Sequence, residues 1–255
     1  MGPASQAQFS EPLSRLFPAG AIAAELSGDA LGAAAGGVTL AAQSLLTEGE
    51  WRSIEHCSEL RIRAFVAGRL CAKRALQRLG IEGFSLLPAP DRQPCWPAGV
   101  TGSITHTGGY AAAVVGHSAE VGSLGLDSER VADLEERLWP QICAAAELGA
   151  LQAMPIEQRA RVAALCFAAK EAFYKAQFAL SGEPLTFQAV RIEWPAMGAG
   201  NSDGGMFAIQ PLQPLRIQQR AGHAASRPGW TGRYRFHADY VSAGIALEAR
   251  TARIE

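Results

Sequence analysis

The 255-residue sequence predicts an α+β fold of two similar-sized lobes, and three observations carry that expectation. Helical stretches with start and stop signals precede strand-like runs in the first half. The same mixture of helices and strands returns in the second half. With 48% hydrophobic residues, the chain can bury the core of one large domain or two small ones. The change of lobe is expected near 117–122, giving an N-terminal lobe over 1–118 and a C-terminal lobe over 119–255.

In chain order, residues 1–44 are Ala- and Gly-rich with few charges and offer two short strand-like runs, 21–26 and 38–42. Thr47-Glu-Gly-Glu50 has capping-box spacing and opens a helical stretch. After a break, a second helix is expected over 59–79, stopped by Gly80. A Pro-rich connector, 87–97, leads to Thr101-Gly-Ser-Ile-Thr-His106. Residues 110–115 and 121–126 then read as strands joined by a polar turn at His117-Ser118, which puts Asp127 at a strand end. Helices are expected over 135–153 and 156–180. Strands follow at 188–194 and 207–211 and as an alternating pair, 234–240 and 242–248, with Gly-rich turns over 198–205 and 221–232. No close sequence repeat relates the halves.

The totals exclude several functions. There are 23 basic and 24 acidic side chains, so no whole-molecule field favours nucleic acid or an anionic membrane, and any affinity for phosphate must be local. No apolar run reaches the ~20 residues of a membrane helix. The first cation is Arg15, so the basic region of a secretory leader is missing. Five scattered cysteines, Cys57, Cys71, Cys95, Cys143 and Cys166, form no Cys-x-x-Cys pair. They suit a reducing cytoplasm better than a disulfide framework or a zinc site.

The informative charges are few. Asp127 and Glu129, two apart on a strand, point to one face of a sheet. Lys170, Glu171 and Lys175 are the only charges in a long apolar helical run, and charges on a buried helix need partners or a metal. Three converging carboxylates beside lysines would make an oxygen cradle for Mg²⁺ facing phosphate. Separately, the same residues read as solvated strand-end charges and an i, i+4 ion pair. Arg61, Phe65, Arg69 and Lys73 recur every fourth residue along one broad stripe, which suits either a phosphate monoester or a solvated face. His106 stands among hydroxyls in Ser103-Ile-Thr105-His106-Thr107, where it is a phosphate donor or a satisfied turn residue. Arg92 in the connector is a further phosphate contact or a surface arginine.

Several motifs in order resemble one family. They are Arg61-x7-Arg69 with Ala67-Gly-Arg-Leu-Cys-Ala, Trp96-Pro with Gly102-Ser-Ile-Thr-His106, Gly125-Leu-Asp127-Ser-Glu129, and Phe167-Ala-Ala-Lys170-Glu171-x3-Lys175. Together they resemble the 4′-phosphopantetheinyl transferases, most of all the enterobactin-synthase-associated, Sfp-like branch. The match is strong from Arg61 to Lys175 and loose over the C-terminal strands, and residues 1–50 carry no motif of the family. The resemblance implies a pseudo-twofold pair of α/β lobes with coenzyme A in the cleft between them. It implies that Asp127, Glu129 and Glu171 hold Mg²⁺ and that Arg61, Arg69 and His106 hold the 3′-phosphate. Thr105, Lys170 and Lys175 are implied as further coenzyme contacts, with Arg92 beside them where the connector varies. Ser128 replaces the apolar residue common between the two acids and should face away from the metal. The implied reaction moves the phosphopantetheine arm to a serine of an apo carrier protein of a nonribosomal peptide, polyketide, siderophore or fatty-acid system. Adenosine 3′,5′-bisphosphate is released, Glu171 serves as base, Lys175 stands at the leaving group, and a monomer is expected. The rival readings are a Mg²⁺-dependent phosphodiester hydrolase and a non-catalytic coenzyme A-binding protein.

Overall fold

A computed structural model describes residues 12–27, 43–194, 203–215 and 230–247; the expected strand over 38–42 and most of both Gly-rich turns lie outside them. The first lobe consists of β1 (Ile22–Ser27), α1 (Glu48–Arg52), α2 (Glu59–Arg78), β2 (Val100–Thr107) and β3 (Tyr110–His117). The second consists of β4 (Ser123–Arg130), α3 (Ala145–Ala153), α4 (Ile156–Ser181), β5 (Val190–Glu193), β6 (Gly204–Pro211), β7 (Trp230–His237) and β8 (Tyr240–Leu247). The strands form two antiparallel sheets, ordered β1-β3-β2 and β4-β8-β7-β6-β5.

Local chemistry sets the helix limits. Thr47 and Glu50 close the capping box of α1: Glu50 N donates to Thr47 Oγ1 and Thr47 N to Glu50 Oε2. Ser58 caps α2, and Gly80, at φ 85°, takes the left-handed conformation just beyond its end. Each long helix covers the outer face of its own sheet. Ala67, Cys71 and Ala72 of α2 pack on Ala111 and Ala113 of β3, and the alanine-rich α4 packs on Val241, Ala243 and Ile245 of β8. The alternate residues Tyr110, Ala112 and Val114 face the other way, into a core shared with Leu124 and Leu126 of β4, with Leu13 and Leu16 of a 3-10 helix, Pro12–Leu16, and with Phe17 just beyond it. The sheets thus meet between the lobes, with the long helices outside.

The two lobes repeat one another in detail. The β2–β3 pairing of Thr107 with Tyr110 recurs as His237 with Tyr240 between β7 and β8, and the pairing of Glu25 with Ala112 recurs as Ser128 with Ser242. In each lobe a buried glutamate of the short helix accepts from a lysine 23 residues on: Lys73 Nζ to Glu50 at 2.7 Å and Lys170 Nζ to Glu147 at 2.7 Å. Arg78 of α2 donates to Ala23 O as Lys175 of α4 donates to Leu126 O, each at 3.0 Å. The strands β5 and β6 have no counterpart among the described residues of the first lobe. At one seam between the lobes Thr105 reaches β4; at the other its counterpart Arg235 reaches Glu25.

Three expectations are corrected. β3 does not form a hairpin with β4: it pairs with β2 through Gly108-Gly109, while residues Ser118–Val121 make one helical turn and β4 enters the other sheet. β2 escapes a hydrophobic-alternation reading because Ser103 and Thr105 face the seam, where their hydroxyls bond the backbone of β4 at Leu126 and Ser128. Asp127 consequently lies within β4, not at its end. The expected helix over 135–153 is broken into a 3-10 turn, Glu136–Leu138, a single turn, Trp139–Ile142, and α3, since Cys143 and Ala144 are extended.

Candidate active site

Gly125 positions the site. A Cβ on it would lie 1.8 Å from Ala172 O, so only glycine lets the backbone of α4 rest directly on β4. Ser123 Oγ fixes the contact by donating to Ala176 O at 2.8 Å. Asp127 and Glu129, on the same face of β4 as Gly125, thereby meet Glu171 and Lys175, one helical turn apart on α4.

Lys175 ties the centre together. Its ammonium donates to Asp127 Oδ1 at 2.7 Å, to Leu126 O at 3.0 Å and to Ile104 O at 3.3 Å, spanning both lobes. Thr105 Oγ1 donates to the same Asp127 Oδ1 at 3.1 Å. The other oxygen, Asp127 Oδ2, is buried without a hydrogen-bond partner. Burial, and then the charge of Asp127, pushes the Glu129 carboxyl up to about 8; the same two causes, in the same order, raise Glu171. Glu129 is also a hydrogen-bond partner of Asp127 when protonated, so without a cation a shared proton holds this pair; the same carboxyls suit an oxygen-bound divalent cation, which would supply the missing positive charge. Ser128 faces the other way, its hydroxyl 2.7 Å from that of Ser242, as expected.

The cations of the first lobe line a cleft of about 840 Å³ between α2, the connector and α4. Arg61, Arg69, Arg92, His106 and Lys175 all border it, with Trp96 and Tyr174. Arg69 is 6% exposed, donates through Nε to Leu86 O at 2.7 Å and lies over the Phe65 ring; burial lowers it to about 10, so it stays charged at neutral pH. Arg61 Nη1 lies 3.4 Å from His106 Nε2. Partial desolvation of the imidazole, on an otherwise exposed residue, then the Arg61 and Lys175 charges, hold it below its ordinary value. Arg92 sits in a tight turn at φ 70°, its amide donating to Ala89 O. A second cavity of about 310 Å³ lies beside Glu171, and Tyr174 borders both.

Two of the expected contacts have their polar atoms engaged within the protein. Lys170 does not line the larger cleft but borders the second cavity, 2% exposed, and its ammonium is used by Glu147, Ile142 O and Phe187 O. An ammonium in so dry a setting needs a carboxylate, and the sequence signal that marks Glu147 is the spacing it shares with Glu50 and Lys73. Thr105 is 2% exposed and its hydroxyl is committed to Asp127 and to Ser128 N. Lys73, on the expected cationic stripe, is likewise drawn to Glu50 and Leu45 O.

Guanidinium groups from one lobe and carboxylates from the other meet at a lysine between two repeated halves, an arrangement chemically suited to a polyphosphate ligand. Comparison with known proteins says which class this is. A model of the 4′-phosphopantetheinyl transferase N-terminal domain matches residues 49–116, and one of the 4′-phosphopantetheinyl transferase superfamily matches 123–221. The 4′-phosphopantetheinyl transferase Svp of Streptomyces mobaraensis is 32% identical over 172 residues, 67% of this chain and 68% of that protein. The 4′-phosphopantetheinyl transferase PptT of Mycobacterium tuberculosis is 35% identical over 170 residues, 61% and 72% of the two chains. Enterobactin synthase component D of Escherichia coli is 36% identical over 91 residues, 35% and 41%. The chain belongs to the 4′-phosphopantetheinyl transferase superfamily, and its activity is transfer of the phosphopantetheine arm to carrier proteins. No helix among the described residues is long and apolar enough to cross a membrane.

Proposed function

We propose that coenzyme A lies in the larger cleft with its 3′-phosphate against Arg61, Arg69 and His106 and with Arg92 at the rim. The division of labour follows the lobes: residues 1–118 hold the nucleotide end, and residues 119–255 carry the acids. Asp127, Glu129 and Glu171 would hold Mg²⁺; when bound, the ion offsets charge on the pyrophosphate and on the leaving group. The observation that supports this most is the cluster itself: Asp127 beside two carboxyls, Glu129 and Glu171, whose ionisation burial and the Asp127 charge resist.

Glu171, a carboxylate that also borders the second cavity, takes the proton of the carrier serine. The serine Oγ bonds to the β-phosphorus as the bond to the bridging oxygen breaks, and adenosine 3′,5′-bisphosphate departs. Lys175 neutralises or protonates the departing phosphate. The pantetheine arm, with its amides and methylenes, runs toward the second cavity, whose lining mixes Phe173, Tyr174 and Phe187 with Gln141, Thr186 and Gln188. The carriers are those of siderophore, nonribosomal peptide, polyketide or fatty-acid assembly. One chain supplies both lobes, so a monomer suffices, and five free thiols suit the cytoplasm.

Glu171→Gln tests the dual assignment. It keeps the size and one carbonyl oxygen but removes the charge and most of the basicity. Single-turnover transfer to a fixed apo carrier should fall by orders of magnitude and recover only slightly as Mg²⁺ is raised. Full recovery would leave Glu171 a ligand only.

A further inference from the structure

We propose that Thr105 is a positioning residue for the metal-binding carboxylate: from the opposite lobe it fixes which oxygen of Asp127 is offered to the cation. The inference rests on the reading of Asp127 as a metal ligand. Thr105 Oγ1 gives its single proton to Asp127 Oδ1 at 3.1 Å and accepts from Ser128 N at 3.0 Å. A hydroxyl has one proton, so Thr105 cannot also donate to a phosphate oxygen without releasing Asp127. Its side chain, 2% exposed, is closed off from the cleft. Lys175 takes the same Oδ1, so two donors hold one carboxylate oxygen and neither reaches the buried Oδ2.

The contact belongs to a wider construction. β2 and β4 lie in different sheets and exchange no ladder of backbone hydrogen bonds. Hydroxyls of β2 take that place: Ser103 Oγ accepts from Leu126 N and Thr105 Oγ1 from Ser128 N, each at 3.0 Å. At the repeated seam the counterpart of Thr105 is Arg235, which donates to Glu25, the counterpart of Ser128, at 2.5 Å. The same strand position thus joins the lobes twice. Only the Thr105 seam has carboxylates at the neighbouring positions, because Ala24 and Leu26 stand where β4 has Asp127 and Glu129. Partners that orient a metal ligand commonly set affinity by about 10- to 100-fold.

The test uses Mn²⁺ as probe, read by loss of the free-ion electron paramagnetic resonance signal on titration into the protein without coenzyme A. Coenzyme A and 3′-dephospho-coenzyme A affinities are measured in parallel. Wild-type binding that Asp127→Asn abolishes establishes the ligand reading, and its absence overturns both that reading and this one. With it in place, Thr105→Val should weaken Mn²⁺ by about tenfold or more. Thr105→Ser, which keeps the hydroxyl, should stay within about twofold of wild type by the same hydrogen-bond logic. The preference of Thr105→Val for coenzyme A over the dephospho form should be unchanged. Unaltered Mn²⁺ affinity in Thr105→Val overturns the inference alone, and so does a loss confined to 3′-phosphate recognition. If the valine variant does not fold, Thr105→Ala is measured in its place and judged by the same outcomes.

Discussion

Arg61 and Arg69 reach one cleft from α2 with different obligations. Arg61 is exposed and has His106 as its near neighbour, whereas Arg69 is buried, bonded to Leu86 O and stacked over Phe65. Arg61→Ala should therefore cost only its phosphate contact. About 1.5–3 kcal/mol is expected, a weakening of coenzyme A by about 10- to 150-fold, with 3′-dephospho-coenzyme A scarcely affected. Isothermal titration with both ligands checks this, and equal losses would return Arg61 to the solvated face. Lys170 makes the opposite case, since it belongs to the fold. Lys170→Met should leave Glu147 buried without its cation and destabilise the protein by about 3–5 kcal/mol. Denaturant unfolding measures that loss, and coenzyme A affinity in the folded fraction should stay near wild type.

Among the elements, β4 and α4 make the chemistry possible by their closeness. Gly125→Ala would drive a methyl group into Ala172 O, so β4 and α4 must part. We expect a loss of at least about 1–3 kcal/mol in thermal or denaturant unfolding. Turnover should fall further than that loss explains, because Asp127 and Lys175 sit on the two parting elements. The motif Gly125-Leu-Asp127-Ser-Glu129 was legible as an acidic strand face, and its glycine is the condition for that face to meet Glu171. β2 was not legible as a strand: its polar residues satisfy β4 rather than water, a tertiary role that periodicity does not encode. Pro140 and the extended Cys143-Ala144 likewise divided a stretch whose composition is helical throughout.

At the scale of the whole molecule, two copies of one lobe plan make a single site. The helix starts, Gly80 and the late strand pair were readable from caps, breakers and alternation. The repeat was hidden, because what is repeated is pairing register and a Glu–Lys clamp, and such geometry tolerates nearly any apolar residue around it. The second seam is closed by Glu25, Tyr110 and Arg235, with Leu13, Leu16 and Phe17 packed in the shared core nearby. Under the proposed function, arm transfer needs the nucleotide cations of one lobe and the carboxylates of the other at once. Intact-mass analysis of an apo carrier incubated with coenzyme A and saturating Mg²⁺, with wild type beside Asp127→Asn, tests it most directly. Wild type should add one phosphopantetheine arm to the carrier, while the variant, still folded and still binding coenzyme A, should leave it apo. Near-normal conversion by Asp127→Asn would contradict the claim.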